Sequence, residues 1–143
     1  MSKKKTFVTL EQLKEIDKTY PTPYHLYDEK GIRENAKRLK EAFAVVTERY
    51  LLFIPYILKI LKDYGCGVDC ASMAELMMGY ALDYKPEEIM FSSNDTPAEE
   101  YAYANEIGAT INLDDITHIE FLDKILDGKF PETMSCRYNP GGY

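Results

Sequence analysis

Short apolar runs alternate with helical segments along most of this chain. Three elements are also predicted before the alternation begins: a helix at Phe7–Asp17 with Thr9 as its N-cap, a short strand at Tyr24–Tyr27, and a long helix that Asp28 caps and that continues through Ala44. Apolar strands that alternate with helices at a near-constant interval are typical of a parallel sheet covered by helices. The spacing therefore predicts a parallel α/β fold. Strands are expected at Tyr50–Ile54, Cys66–Cys70, Ile89–Ser92, Thr110–Leu113 and Met134–Tyr138, with helices between them at Pro55–Tyr64, Ser72–Leu82, Thr96–Ile107 and Asp115–Leu126.

The number of strands leaves two architectures open. A closed (β/α)8 barrel usually takes about 250 residues, whereas this chain has 143. Five strands also suit an open, doubly wound sheet of flavodoxin size. Periodicity alone supports an incomplete barrel and a complete open sheet equally.

Composition argues against several classes of partner. The net charge is −7, and the basic run Lys3–Lys5 stands apart from any aromatic stripe, which speaks against nucleic acid. No apolar run approaches the roughly 20 residues of a membrane span, and the charged start leads into no signal-type segment. We therefore expect a cytoplasmic protein. The three cysteines lack the spacing of a zinc site, so no metal is predicted and the thiols are expected to be reduced and mostly buried.

The segment Gly65–Met78 carries the strongest functional signal. Its predicted strand ends in Asp69 and is followed at once by Ser72, at the start of a helix. Polar residues that leave the carboxyl end of a parallel strand occupy the place where α/β folds put their chemistry. The structural alternatives are a turn acid for Asp69 and a helix N-cap for Ser72. Arg137 is a third candidate, because a charge within a predicted buried strand needs a partner.

Five motifs, in order and at matching spacing, resemble one enzyme family. The resemblance is to the fold-type III pyridoxal-phosphate decarboxylases, the group of diaminopimelate and ornithine decarboxylases, and it is strongest to the diaminopimelate branch. Ornithine- or arginine-type enzymes share part of the wording and remain an alternative. The motifs are Thr22–Asp28, Gly67–Ser72 with Glu75–Leu76, Phe91–Asn94, Ile111–Asp114 and Cys136–Gly141.

The resemblance implies a fold, a cofactor and partners. Residues 29–143 would form about five strands of a (β/α)8 barrel, and residues 1–28 would belong with a second, β-rich domain that is otherwise missing. The cofactor would be pyridoxal phosphate (PLP), the substrate a small amino acid such as meso-diaminopimelate on the way to lysine, and the assembly a homodimer. Asp69, Ser72 and Arg137 would lie beside the cofactor.

One departure from the family weakens the expectation of activity. The family's Schiff-base lysine follows a short apolar strand and precedes a Pro-Tyr helix, yet no lysine occurs between Tyr50 and Pro55. Lys59 lies inside the next helix and is expected on its solvated face, while His25 and His118 match no catalytic position. Three hypotheses follow: an inactive relative of diaminopimelate decarboxylase, a non-catalytic partner of an intact decarboxylase subunit, and, least supported, a single-barrel PLP carrier.

Overall fold

The computed structural model describes residues 6–42, 50–51, 55–138 and 140–141. Five strands within these ranges form one sheet in the order β1-β2-β3-β4-β5, and every neighbouring pair is parallel. The strands are β1 Tyr50–Leu51, β2 Gly67–Cys70, β3 Ile89–Phe91, β4 Thr110–Leu113 and β5 Ser135–Cys136. The helices are α1 Leu10–Asp17, α2 Glu29–Ala42, α3 Pro55–Lys62, α4 Met73–Ala81, α5 Ala98–Glu106 and α6 Thr117–Leu126, with a 3-10 turn at Pro86–Glu88.

The strand order separates the two architectures that periodicity left open. A doubly wound sheet reverses its strand order at a switch point, whereas barrel strands follow one another around the wall. The observed order runs from β1 to β5 without a reversal. The fold is therefore a partial barrel wall with helices on its outer side, as the resemblance implied.

The core lies between the sheet and its helices. Val68, Cys70 and Phe91 are buried on the strand side, and Leu76 and Tyr101 are buried on the helix side. Alternate strand residues belong to the opposite face and are only half-buried, because strand side chains point to the two faces in turn. That second face corresponds to the barrel interior and is largely polar: Asp69, Met90, Thr110, Asn112 and Ser135.

Local capping explains where several elements begin. Thr9 and Gln12 form a reciprocal capping box at α1. Asp28 accepts a hydrogen bond from the backbone N–H of Gly31 at 3.0 Å, which caps α2 as predicted. Gly79 lies where α4 approaches the sheet, and a Cβ there would stand 3.2 Å from Cγ2 of Val68.

The boundaries differ from the predictions at a few places. The strand expected at Tyr24–Tyr27 is wrong: these residues carry no strand, since no described strand lies beside them to complete a ladder. The ends of two predicted elements, at Phe43–Ala44 and Leu52–Ile54, lie outside the described residues. Among the described helices, none is long and apolar enough to cross a membrane.

Candidate functional site

The carboxyl ends of β2 and β3 bring Asp69 and Ser92 together. Asp69 is the third residue of β2, and Ser92 directly follows β3. The two residues share the polar face, and the Ser92 hydroxyl donates a hydrogen bond to Oδ1 of Asp69. The sequence placed Ser92 in a family motif without giving it a role. Its position directly after a strand, on the same rim as Asp69, was the available signal.

The ends of β4 and β5 carry a second polar pair. Nη1 of Arg137 lies 2.8 Å from Oδ1 of Asp114, which directly follows β4. The hydrogen bond that Arg137 donates to Asp114, together with the negative charge of that carboxylate, raises the pKa of Arg137 above its usual value. The backbone N–H of Arg137 also donates to the carbonyl of Leu113 at 2.8 Å, which extends the β4–β5 ladder by one bond. The predicted partner of this arginine is thus a carboxylate of its own chain.

Ser72 occupies the N-cap position of α4 by its extended backbone, but its hydroxyl makes no capping hydrogen bond. Two glutamates accept hydrogen bonds from backbone amides on either side of Ser72. Oε2 of Glu75 accepts from the N–H of Ala71 at 2.6 Å. Oε1 of Glu100, on α5, accepts from the N–H of Met73 at 2.9 Å. For Glu75 the Ser-x-x-Glu spacing from Ser72 was an available local signal, whereas Glu100 lies far from α4 in sequence and only the packing of α5 on α4 reveals its contact.

All three predicted site residues lie at this rim, but they do not form one cluster. Asp69 is on β2 and Arg137 follows β5, so three strand spacings, about 14 Å along the sheet, separate them. Their assignment as cofactor-binding residues stays a prediction.

The two histidines lie away from these pairs. Nδ1 of His118 is 2.9 Å from the hydroxyl of Tyr101, whose ring is buried between α5 and α6. His25 is exposed on the segment before α2, with its ring 6.4 Å from that of Tyr27.

The three thiols differ in exposure. Cys66 and Cys70 are buried and Cys136 is exposed, so the thiols are mostly buried, as expected. Cys136 lies at the end of the edge strand β5, where no further described strand covers it. Burial, followed by the charges of Glu75 and Asp69, raises the pKa of Cys70 to about 12. In the described ranges, His, Cys, Asp and Glu side chains form no group of three or more that could hold a metal ion.

Two cavities are relevant to the position of a ligand. The larger, about 600 Å³, is a groove between α2 and α3 lined by Ile32, Ala36, Leu39 and Leu61 among others, and it lies away from the strand ends. The smaller, about 210 Å³, lies at the rim beside Arg137, Cys136 and Asp115. The location of the polar pairs, rather than cavity size, identifies the rim as the candidate site.

Sequence comparison identifies the family. The family described as "Pyridoxal-dependent decarboxylase, pyridoxal binding domain" matches residues 29–142. The chain therefore belongs to the fold-type III PLP-dependent decarboxylases, and its residues 29–142 match the pyridoxal-binding domain of that family.

Individual relatives agree with that assignment. Protein TabA of Pseudomonas amygdali pv. tabaci is 34% identical over 135 residues, which cover 91% of this chain and 31% of that protein. Diaminopimelate decarboxylase of Methanothermobacter thermautotrophicus is 30% identical over 135 residues, or 88% of this chain and 31% of that enzyme. The chain thus spans about a third of the length of these relatives.

Solved structures agree on the fold. Diaminopimelate decarboxylase from Helicobacter pylori, crystallised with L-lysine, superposes with a TM-score of 0.70 at 25% identity, covering 80% of this chain and 31% of that one. Lysine decarboxylase from Selenomonas ruminantium gives a TM-score of 0.75 at 20% identity, covering 86% of this chain and 33% of that one, and shows the fold alone.

The residues present do not fit a covalently held PLP, the cofactor of this family. No lysine occurs in the five strands or in the segments that leave their carboxyl ends, residues 52–54 included. Lys59 is exposed on the second turn of α3. Lys62 donates to the carbonyls of Leu82 and Asp83, both at 2.7 Å, and so fastens α3 to the end of α4. The amine that would form a Schiff base at the rim is missing.

Proposed function

We propose that this chain derives from the diaminopimelate decarboxylase branch of its family and does not itself release CO2 from an amino acid. The observation that carries the proposal is the missing lysine at the end of β1. PLP accepts the electrons left by the departing carboxylate only when it is held in position, and in this family a lysine amine holds it. The similarity to diaminopimelate decarboxylases at 30% identity supports the choice of branch.

Trapping and turnover assays test this proposal. The chain is incubated with PLP, reduced with borohydride and mapped by mass spectrometry. In parallel, CO2 release is measured from meso-diaminopimelate, L-lysine and L-ornithine. We expect scattered labelling of exposed lysines and no CO2 release, with the Helicobacter pylori enzyme as the active control. A stoichiometric adduct at one lysine together with CO2 release would contradict the proposal, and the preferred substrate would separate the diaminopimelate branch from the ornithine or arginine branch.

A matched variant isolates the role of the lysine. The lysine-bearing strand and loop of the Helicobacter pylori enzyme replace residues 52–54, between Leu51 and Pro55. If the missing lysine alone prevents adduct formation, the graft acquires one dominant reducible adduct at the new lysine. The same graft with that lysine changed to methionine controls for the altered loop.

A second candidate function is that of a non-catalytic partner of an intact decarboxylase subunit. Uncovered apolar side chains beside the β5 edge favour it, since Ile116 is 78% exposed and Tyr138 is 87% exposed. Tagged chain would be mixed at micromolar concentration with an intact diaminopimelate decarboxylase. Co-purification that is lost in an Ile116→Asp variant supports this role. A chain that does not bind the enzyme at this concentration excludes it.

Three further statements belong to the same proposal. Residues 1–28 would pack with a β-rich domain, residues 29–143 would form the incomplete barrel, and the chain would act in the cytoplasm as part of a dimer. Dimerisation can be measured by sedimentation of the purified chain.

A further inference from the structure

The outward side of α4 carries no charge. Its exposed residues are Ala74, Met77, Tyr80 and Ala81, and among the described helices α4 alone has no charged residue at an exposed position. Met77 is 55% exposed and Tyr80 is 60% exposed. A helix that is apolar on all sides is normally buried. The outward side of α4 therefore has the composition of a contact surface.

The charged residue of α4 does not interrupt this surface. Glu75 is half-buried, and its carboxylate accepts from the N–H of Ala71 at 2.6 Å. The opposite side of the helix packs on the sheet through Leu76 and Gly79, which are buried. The apolar surface thus faces away from the sheet and lies on the outside of the barrel wall.

The two helices beside α4 carry opposite charges. The strand order β1-β2-β3-β4 places α3 on one side of α4 and α5 on the other. Within its bounds α3 has two lysines and no acid, whereas α5 has three glutamates and no base. Lys59 of α3 and Glu99 and Glu106 of α5 are exposed, while Asp63, just after α3, is paired with Arg33 of α2 at 3.6 Å. The apolar surface therefore has one basic border and one acidic border.

This arrangement of charge is complementary to itself in one orientation. Two copies that face each other through α4 can be related by a two-fold axis that runs across the helices or along them. An axis across the helices makes α4 antiparallel to its copy and places α5 opposite α5, so glutamates meet glutamates. An axis along the helices makes α4 parallel to its copy and places α3 opposite the α5 of the partner, so lysines meet glutamates. Only the parallel pairing avoids repulsion between like charges.

We infer that the outward side of α4 is a contact surface for a second copy of this chain, with the two α4 helices parallel and Lys59 of each copy opposite the glutamates of α5 in the other. The apolar residues of α4 form the centre of the contact, and the charged borders fix its orientation. The proposed function includes a dimer but assigns it no contact surface, so this inference goes beyond it.

The size of the surface sets the expected affinity. The nine residues of α4 extend about 14 Å, and three neighbouring helices span about 30 Å, which gives a footprint of about 400 Å². A standard interface buries about 800 Å² on each partner. The dimer is therefore weak and reversible, with an expected dissociation constant of about 100 µM.

Sedimentation velocity of the purified chain, from about 10 µM to about 1 mM, measures this equilibrium. Met77→Glu places a charge in the centre of the surface and should weaken the dimer at least about tenfold, because each copy would bury an unpaired carboxylate. Ile116→Asp adds the same charge beside the β5 edge and should leave the dissociation constant unchanged. Both positions are exposed, so both variants should keep the far-ultraviolet circular dichroism of the unaltered chain. If Met77→Glu does not fold, Tyr80→Gln replaces it, with loss of dimer again expected.

Charge reversal tests the orientation. Lys59→Glu places an acid opposite the glutamates of α5, and Glu99→Lys places a base opposite Lys59. Each substitution should weaken the dimer about threefold, as expected for exposed ion pairs. The double variant restores opposite charges in the parallel pairing and should recover the affinity of the unaltered chain.

Three results would overturn the inference. They are a chain that stays monomeric at about 1 mM, a dimer that Met77→Glu weakens no more than Ile116→Asp does, and a double charge reversal that does not recover affinity. CO2 release in the earlier assay would contradict the proposed function and leave this surface intact. A dimer that only Ile116→Asp disrupts would contradict this surface and leave the proposed function intact.

Discussion

Gly79 offers a quantitative test of how closely α4 packs on the sheet. It is buried near the end of the helix, and an added Cβ would lie 3.2 Å from Cγ2 of Val68 and 3.6 Å from Cδ1 of Ile89. Replacing a helical glycine with alanine normally stabilises a protein by about 1 kcal/mol. Forcing an extra methyl into a close-packed contact costs about 1 to 3 kcal/mol. The contact outweighs the helix propensity here, so we expect Gly79→Ala to lower the free energy of unfolding by about 1 kcal/mol.

A second substitution separates the two contributions. Val68→Ala removes the methyl that crowds the new Cβ and by itself should cost about 2 kcal/mol. In that background the remaining contact, to Ile89, is an ordinary van der Waals distance. Gly79→Ala should then stabilise the chain by about 1 kcal/mol, which gives a coupling free energy of about 2 kcal/mol between the two positions.

Urea unfolding followed by far-ultraviolet circular dichroism measures all four proteins, with the midpoint compared at constant m-value. Ala102→Gly, at an exposed position of α5, is the control for helix propensity alone and should lose about 1 kcal/mol. If Gly79→Ala stabilises the unaltered chain by that full amount, or has the same effect in both backgrounds, α4 does not pack on Val68 as described.

Three further predictions follow from individual contacts. Tyr101→Phe removes the hydroxyl that lies 2.9 Å from Nδ1 of His118 and should lower the free energy of unfolding by about 1 kcal/mol in urea titrations; an unchanged midpoint would show that this bond adds nothing. Arg137→Gln breaks an ion pair with Asp114 in which the side chains are 55% and 25% exposed. The free energy of unfolding should therefore fall by at most about 1 kcal/mol, and by less in added salt. A decrease that salt leaves unchanged would contradict this. Burial raises the pKa of Cys70 from 9.0 to about 12. Between these two pH values the unfolded chain has lost the thiol proton while the folded chain still holds it. The free energy of unfolding therefore falls as the pH rises, by up to about 1.4 kcal/mol per pH unit. Urea titrations at pH 8 and pH 10 should show a smaller decline in Cys70→Ala, and an equal decline would refute this explanation.

Local sequence signals predicted most of the secondary structure. Apolar runs located all five strands within a few residues, because a strand covered by helices must be apolar wherever it is buried. Thr9 and Asp28 predicted the starts of α1 and α2, since capping depends on residues three positions apart. The predicted strand at Tyr24–Tyr27 is not formed, because a strand requires a neighbouring strand to pair with and the local sequence does not show whether that neighbour exists.

The candidate site was predictable only in part. Asp69, Ser72 and Arg137 were located at the carboxyl ends of strands by the motif order alone. The hydrogen-bond partners of Asp69 and Arg137 were not, because Ser92 and Asp114 come from neighbouring strand ends that are distant in sequence. Ser92 lies 23 residues from Asp69, and Glu100 lies 27 residues from Met73.

The sequence by itself determined the family, through the order of its motifs. It also showed that a Schiff-base lysine is missing at the end of β1, since a missing residue needs no structure to be recognised. Only the tertiary structure decided that the five strands follow one another without a reversal, because strand order depends on which edges pair. It also decided that Glu100 accepts from the Met73 amide and that Asp114 holds Arg137, because hydrogen bonds between distant residues form only when packed helices and strands bring them within 3 Å.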